Sequence, residues 1–127
     1  MEVVCAILYQ KNNLLLAQRP SHKKHGDLWE FPGGKVKHGE SHEEALSREL
    51  FEELHIQTLS FYYIGSTHNE DLNLHTYISP LKEAYIPIEH RAVSWLSLKN
   101  LQKSPLCPSD LEIINLYSKK IESFLTL

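Results

Sequence analysis

The chain reads EFPGGK at residues 30–35 and RELFEE at residues 48–53, and the second segment predicts a helix with carboxylates on one face. Each helical residue advances by about 100°, so Glu49, Glu52 and Glu53 fall within one arc of about 100°. The neighbouring arc carries leucines that can face a core, at Leu46, Leu50 and Leu54. The sequence therefore predicts a helix that is packed on a core and carries three acids beside its buried face.

Three carboxylates on one helix face repel one another unless they bind cations or take up protons. Hard oxygen ligands at this spacing suit Mg²⁺ or Mn²⁺, and a divalent ion held by carboxylates suits a phosphate substrate. The alternative interpretation is a solvated acidic face, because most runs of charge are solvated. The helix taken alone is compatible with both.

Local signals place the ends of this helix. Ser41 and Glu44 have the spacing of a capping box, which begins a helix just after Glu40. The helix is expected to continue to about Leu54. Before it, residues 31–34 (FPGG) predict a turn in which the backbone can approach a ligand closely.

Apolar and alternating segments predict strands on both sides of the helix. Val3–Tyr9 and Leu14–Gln18 predict two strands around an asparagine-rich turn, and residues 19–28 predict a loop. Three further strands and a short helical turn are expected at Leu59–Ser66, Leu74–Pro80, Val93–Leu96 and Ser97–Gln102. With a helix at the end of the chain, this order predicts an α+β sandwich, a mixed β-sheet flanked by two helices.

The C-terminal helix is predicted from a second capping box and an apolar stripe. Ser109 and Glu112 have the spacing of the box. The stripe expected to pack on the core consists of Leu111, Ile114, Ile121 and Leu125.

Length and composition narrow the class of protein. At 127 residues the chain is expected to form a single domain, residues 1–127, and its formal net charge of −3 argues against a nucleic acid polymer as partner. Two cysteines without paired spacing suggest no disulfide framework, and Cys5 is expected to be buried. The N-terminal segment lacks a basic signal region and is too short to span a membrane, so a cytoplasmic location is expected. The eight histidines show no ligand motif and are expected mostly on the surface or in loops.

The positions around the acidic helix resemble the Nudix box, the signature of the Nudix hydrolases. The matching positions are Gly34, Glu40, residues 48–50 (REL), Glu52 with Glu53, and Ile56. One position departs from the family pattern, which has glycine where this chain has His55. That glycine would close the helix in the left-handed conformation, which histidine adopts at a cost of about 1 kcal/mol. His55 is therefore expected to affect stability rather than chemistry, with a metal-ligand role as the less favoured alternative.

Further segments resemble the MutT branch of that family. They are residues 15–20 (LLAQRP), 28–35 (LWEFPGGK), 93–96 (VSWL) and 108–110 (PSD). The resemblance implies the Nudix fold and the activity of that branch. These enzymes hydrolyse oxidised or otherwise unwanted nucleoside triphosphates to monophosphate and pyrophosphate, which cleans the nucleotide pool used in DNA replication and complements DNA repair.

The resemblance also implies a metal site. In this sequence its ligands would be a backbone carbonyl and four carboxylates, at Gly33, Glu49, Glu52, Glu53 and Glu89. For Glu89, in the loop before the tryptophan strand, a solvated loop acid is the alternative. Two or three Mg²⁺ ions, with Mn²⁺ as a substitute, would neutralise the triphosphate and lower the pKa of the attacking water.

Catalytic roles follow from the same positions. Glu49 or Glu53 would accept the proton of the attacking water. Arg48 would orient the carboxylates by ion pairing, with Glu52 as its i,i+4 neighbour. Glu40 would either support the metal ligands from outside or stabilise the start of the helix.

Substrate contacts are expected on the loop before the acidic helix. Arg19 and Lys24 are the candidate contacts to phosphate or base, with simple surface charge as the alternative. The nucleoside pocket would be lined by Glu30, Phe31, Pro32 and Gly33, with Phe31 against the base or sugar.

Asp110 matches the position that reads the base in such enzymes, and a first-turn helix acid is the alternative. An ionised Asp110 only accepts hydrogen bonds, which suits the two adjacent donors of guanine, whereas cytosine would require the protonated acid. The leading hypothesis is therefore a monomeric 8-oxo-dGTP diphosphatase. The alternatives are a diphosphatase for CTP, dCTP or 5-methyl-dCTP, another Nudix pyrophosphohydrolase, and an inactive binding module, which the three intact glutamates argue against.

Overall fold

The protein folds into a mixed seven-stranded sheet with helices on both faces. The structure is a computed structural model, which describes residues 1–57, 59–88, 90 and 92–125. The strands are β1 (Glu2–Gln10), β2 (Asn13–Gln18), β3 (Trp29–Glu30), β4 (Gly33–Lys35), β5 (Tyr62–Asn69), β6 (Leu72–Pro80) and β7 (Ala92–Ser97). The helices are α1 (His42–Leu54), α2 (Leu98–Leu101) and α3 (Pro108–Leu125). The predicted α+β class with a mixed sheet is confirmed, and the expected helical turn after β7 is α2.

The sheet is mixed because β1 and β6 run parallel. The main order is β3-β2-β1-β6-β5, with β4 also paired to β1 and β7 to β2, and the other pairings are antiparallel. Strand β1 therefore lies in the middle, between α1 on one face and α3 on the other. Its alternating side chains enter two separate cores, as expected for a strand that is buried on both faces.

The two cores explain the apolar pattern of β1. Val4, Ala6 and Leu8 pack with the leucines of α1, whereas Cys5 and Ile7 pack on the side of α3. The expected burial of Cys5 is confirmed. Both sides of β1 are thus held in place, and this strand forms the floor of the cavity described below.

The ends of α1 are confirmed as predicted. The Ser41 hydroxyl accepts a hydrogen bond from the Glu44 N–H, and the Glu44 carboxylate accepts one from the Ser41 N–H. At the other end His55 adopts the left-handed conformation, with φ 58° and ψ 32°, and donates its N–H to the carbonyls of Leu50 and Phe51. The His55 ring stacks on Phe51, so the histidine takes the conformation that glycine would supply.

Three local predictions were wrong. The segment around FPGG forms the short strands β3 and β4 rather than only a turn, because Trp29–Glu30 pairs with β2 and Gly33–Lys35 pairs with β1. The strand expected from Leu59 begins at Tyr62. Helix α3 begins at Pro108, one residue before the predicted cap at Ser109. Proline is favoured at the first position of a helix, because the N–H that it lacks would have no partner within the helix.

The apolar stripe of α3 also differs from the prediction. Leu111 is 41% exposed, whereas Ile113 is fully buried beside Ile114 and Ile121. Leu125 packs at the margin of the core. Within the part of the chain that the structure describes, no helix is long and apolar enough to cross a membrane.

Candidate active site

A cavity of about 1050 Å³ opens where β1, β4, α1 and the start of α3 meet. Of the residues that were predicted to have a catalytic, metal-binding or substrate-binding role, eight line the cavity: Arg19, Lys24, Glu30, Phe31, Gly33, Glu49, Glu53 and Asp110. Four others lie outside the lining, namely Pro32, Glu40, Arg48 and Glu52. Glu89 falls outside the described residues. The fold therefore gathers most of the predicted site from segments far apart in the chain.

Arg48 joins three acids, Glu40, Glu49 and Glu52, in one network of hydrogen bonds and ion pairs. Its guanidinium donates to both oxygens of Glu40, from Nε at 2.7 Å and from Nη2 at 2.9 Å, and Nη1 donates to Glu49 Oε1 at 2.8 Å. Glu52 Oε2 lies 3.5 Å from Nη1, and Nη2 also donates to the Lys35 carbonyl. Arg48 thus fixes Glu49 through a planar group with several donors.

Glu40 belongs to this network rather than to the helix start. Besides Arg48, it accepts a hydrogen bond from the backbone N–H of Lys37 at 2.8 Å. The bonds from Arg48 and Lys37 lower the pKa of Glu40 to about 2, and its bonds to Glu40 and Glu49 raise the pKa of Arg48. Glu40 therefore remains ionised and holds Arg48 from the side away from the cavity.

Glycines bring the backbone of β4 close to its neighbours. A Cβ on Gly33 would lie 2.0 Å from the Val4 carbonyl oxygen, and a Cβ on Gly34 would lie 2.3 Å from Cδ of Glu49. Any larger residue at position 34 would thus displace the Glu49 carboxylate from the wall of the cavity. The close approach expected of these glycines is made within the protein, to β1 and to α1.

Glu53 is a buried acid that also lines the cavity. It is 4% exposed, and its Oε1 lies 3.4 Å from Nε2 of His90. The loop that carries His90 is attached to the end of α1, because the N–H groups of Ile86 and Ile88 donate to the carbonyls of Leu54 and Glu53.

His90 is a residue of the cavity that the sequence did not reveal. Its side chain is 4% exposed, and Nε2 lies 3.1 Å from Glu30 Oε2 as well as near Glu53. The expectation that the histidines are mostly surface or loop residues overlooked it. Its position next to Glu89, which had been singled out, is the signal that could have drawn attention to it.

Arg19 also lines the cavity and holds the loop before β3 in place. Its Nη1 donates to Glu30 Oε1 at 3.0 Å, and its Nε donates to the Lys24 carbonyl at 2.9 Å. Lys24 itself is exposed at the rim. Arg19 and Lys24 therefore line the same cavity as the carboxylates of Glu49 and Glu53.

Asp110 closes the cavity at the start of α3. It is 5% exposed, its Oδ1 accepts the Phe31 N–H at 2.9 Å, and its Oδ2 accepts the Ser109 hydroxyl at 3.4 Å. Burial raises the pKa of Asp110 to about 7, against the lowering effect of the Phe31 N–H. The hypothesis of guanine recognition requires the ionised acid, and a pKa of about 7 leaves both the protonated and the ionised form populated at neutral pH. Phe31 is 3% exposed and packs largely into the core.

The donor set of the cavity fits a hard divalent cation. Carboxylates and backbone carbonyls are the ligands that Mg²⁺ and Mn²⁺ prefer. Glu53 supplies a buried carboxylate, and the missing side chain of Gly34 leaves the space that the Glu49 carboxylate occupies.

Comparisons with known proteins identify the family of this chain. The model of the NUDIX domain matches residues 1–117. The CTP pyrophosphohydrolase of Escherichia coli (strain K12) is 37% identical over 122 residues, which cover 92% of this chain and 90% of that protein. An 8-oxo-dGTP diphosphatase of Proteus vulgaris is 44% identical over 57 residues, which cover 44% of this chain and 51% of that protein. The solution structure of the E. coli ORF135 protein has a TM-score of 0.84 at 36% identity, covering 96% of this chain and 91% of that one.

The cavity of this fold is lined by two carboxylates of α1, Glu49 and Glu53, beside those of Glu30 and Asp110. The chain belongs to the Nudix family and is a Nudix hydrolase similar to MutT. Enzymes of this family generally use a divalent metal such as Mg²⁺.

Proposed function

We propose that this protein is a Mg²⁺-dependent diphosphatase of cytosine nucleoside triphosphates, which releases the monophosphate and pyrophosphate. The choice of base rests on two observations, and the first is the buried Asp110, whose raised pKa of about 7 makes a protonated form available at neutral pH. The similarity to a protein named CTP pyrophosphohydrolase over nearly the whole chain supports the same choice. In this proposal CTP, dCTP or 5-methyl-dCTP, which the sequence analysis gave as alternative substrates, replace 8-oxo-dGTP as the leading substrate.

The base would be selected by the proton on Asp110. A protonated carboxyl group offers one donor and one acceptor, which match the N3 lone pair and the 4-amino group of cytosine. Oδ1 already accepts the Phe31 N–H, so the proton belongs on Oδ2, and Oδ1 keeps a lone pair for the amino group. Guanine can be bound without this proton, because its N1–H and 2-amino groups are both donors.

The reaction would use the two walls of the cavity. Gly33, Glu49 and Glu53, with Glu52 and Glu89 as the remaining predicted ligands, would hold the metal, which when bound neutralises phosphate charge and lowers the pKa of water. Glu49 or Glu53 would take the proton of the attacking water.

The remaining side chains would bind and position the substrate. Arg19 and Lys24 would contact the phosphates from the rim, and the ion pair with Glu30 would hold the Arg19 guanidinium in place. His90 would keep the carboxylates of Glu30 and Glu53 apart at fixed positions. The segment from Glu30 to Gly33 would line the nucleoside side of the cavity, next to Asp110.

The pH dependence of the preference between two substrates tests the role of Asp110. The protonated fraction of a group with a pKa of about 7 falls about tenfold between pH 6 and pH 8. The ionised fraction, which suits guanine, rises about tenfold over the same range, so the ratio of kcat/KM for dCTP to kcat/KM for 8-oxo-dGTP should fall about a hundredfold. The titrations of the triphosphate and of the metal site cancel in this ratio, because both substrates share them.

Asp110→Asn provides the matched control. An amide always offers one donor and one acceptor, so the variant should retain activity on dCTP and lose the pH dependence of the ratio. A preference for 8-oxo-dGTP at pH 6 in the unmodified protein would instead favour the second candidate, the 8-oxo-dGTP diphosphatase that the partial similarity to the Proteus vulgaris protein suggests.

Binding of the metal should raise the melting temperature. Mg²⁺ at about ten times its dissociation constant would stabilise the native state by about 1.4 kcal/mol, or several degrees, through mass action. Glu53→Gln should reduce the rise, whereas Glu43→Gln, on the exposed start of the same helix, should preserve it. A melting curve that Mg²⁺ and Mn²⁺ leave unchanged would indicate that the acids of α1 are only a solvated face.

A further inference from the structure

A second group of metal-ligating side chains lies outside the cavity. Glu2 on β1, His42 at the first position of α1 and His75 on β6 each offer one ligand atom, and the three atoms lie within 4.8 Å of one another. None of the three residues lines the cavity of the active site. We propose that Glu2, His42 and His75 form a second metal site, which takes a borderline divalent ion such as Zn²⁺ or Co²⁺.

The fold itself brings the three residues together. In the parallel pairing of β1 with β6, Glu2 lies opposite Asn73 and Val4 lies opposite His75. Residues two apart on a strand share a face, so Glu2 and His75 lie on the face that α1 covers. The capping box at Ser41 then places His42 over this corner of the sheet, and the His42 and His75 rings lie 4.2 Å apart between centroids.

Two of the three ligands, Glu2 and His42, are already oriented by a group outside the cluster. Glu2 Oε2 accepts a hydrogen bond from Asn73 Nδ2 at 2.7 Å, which leaves Oε1 directed at His75 Nε2, 2.6 Å away. His42 Nδ1 lies 3.0 Å from the Tyr77 hydroxyl. If Nδ1 donates to that hydroxyl, the lone pair of Nε2 is free to bind a metal. Such outer partners are typical of histidines that ligate metals.

The chemistry of the ligands selects the ion. The contact between Glu2 and His75 shares one proton, which a divalent ion would replace while binding both atoms. Ligand atoms about 2.1 Å from a tetrahedral Zn²⁺ lie about 3.4 Å apart, so modest rotation of these partly exposed side chains completes the site. Two imidazoles favour Zn²⁺ or Co²⁺ over Mg²⁺, whose preference is for oxygen ligands. The burial of His42 and the nearby His75 lower the pKa of His42, which favours the neutral form that binds metals.

Calorimetric titration with Zn²⁺ tests the site, using protein without a polyhistidine tag. Saturating Mg²⁺ is present throughout to occupy the carboxylates of α1. One equivalent of Zn²⁺ should bind, and Co²⁺ in its place should give the absorption spectrum of an ion with nitrogen ligands. His42→Gln and His75→Gln should each weaken binding at least about tenfold. His38→Gln, which removes an exposed histidine elsewhere, should leave binding unchanged.

Two further measurements separate this site from loss of structure and from the proposed function. Melting curves in the presence of a chelator should coincide for the four proteins, and Zn²⁺ should raise the melting temperature only where both His42 and His75 are present. Mg²⁺-dependent hydrolysis should be unchanged in all of them. Zn²⁺ binding that saturating Mg²⁺ abolishes, or that both glutamine variants retain in full, would overturn the proposal.

Discussion

Glu53→Gln should lower kcat at least about a hundredfold at saturating Mg²⁺ while the fold remains intact. The amide keeps the shape of the side chain and can still bond to His90 Nε2, which lies 3.4 Å from Glu53 Oε1. What the variant loses is the negative charge, which is required both to hold a cation and to accept a proton. Steady-state release of pyrophosphate, measured with excess dCTP and with excess 8-oxo-dGTP, checks the result for either substrate.

The control for this variant is Glu43→Gln, which removes the same charge from the exposed first turn of α1. Its kcat should stay within about twofold of the unmodified protein, because surface substitutions away from a site have small effects. Equal activity of Glu53→Gln and the unmodified protein would remove Glu53 from the metal site and leave Glu49 as the candidate acceptor of the proton.

Gly33→Ala should destabilise the native state by about 3 kcal/mol, even without metal or substrate. The added Cβ would lie 2.0 Å from the Val4 carbonyl oxygen. Val4 cannot move away, because it is fully buried in the core beneath α1 and its strand is paired with both β4 and β6. Urea unfolding in the presence of a chelator measures this cost separately from any effect on the metal site.

Gly39→Ala is the matched comparison for that experiment. A Cβ at Gly39 meets nothing within 4 Å, but the residue has a φ of +85°, so the expected cost is only the conformational one, about 1 kcal/mol. If the two variants lose similar stability, the close approach of β4 to β1 is not what requires glycine at position 33.

The parts of the fold that follow from neighbouring residues were predictable. The capping box at Ser41, the acidic face of α1 and the left-handed His55 each depend on residues within a few positions of one another. The central strand β1 was predictable because a continuous apolar run suits burial on both faces. The short strands β3 and β4 were not, since they consist of two and three residues and exist only through their pairing with β2 and β1.

The candidate site likewise consists of features that the sequence predicted and features that it did not. Glu49 and Glu53, which the Nudix box singles out, line the cavity, and Arg48, which was expected to pair with the carboxylates, donates to Glu49. Glu52 lies outside the lining and is about half exposed, although the helical arc groups it with the other two. The metal-ligand, catalytic and substrate-binding roles of all these residues, including Glu89, stay predictions, as do the single domain, the cytoplasmic location and the monomeric state.

By itself, the sequence determined the family, the acidic helix and the order of the longer elements, because these depend on spacing along the chain and on local hydrogen bonds. Only the tertiary structure decided that His90 lies between Glu30 and Glu53, and that Glu2 meets His42 and His75. It also raises the pKa of Asp110 to about 7, chiefly by burial. Burial and contacts between distant segments arise only when the sheet assembles, so no local pattern of residues encodes them.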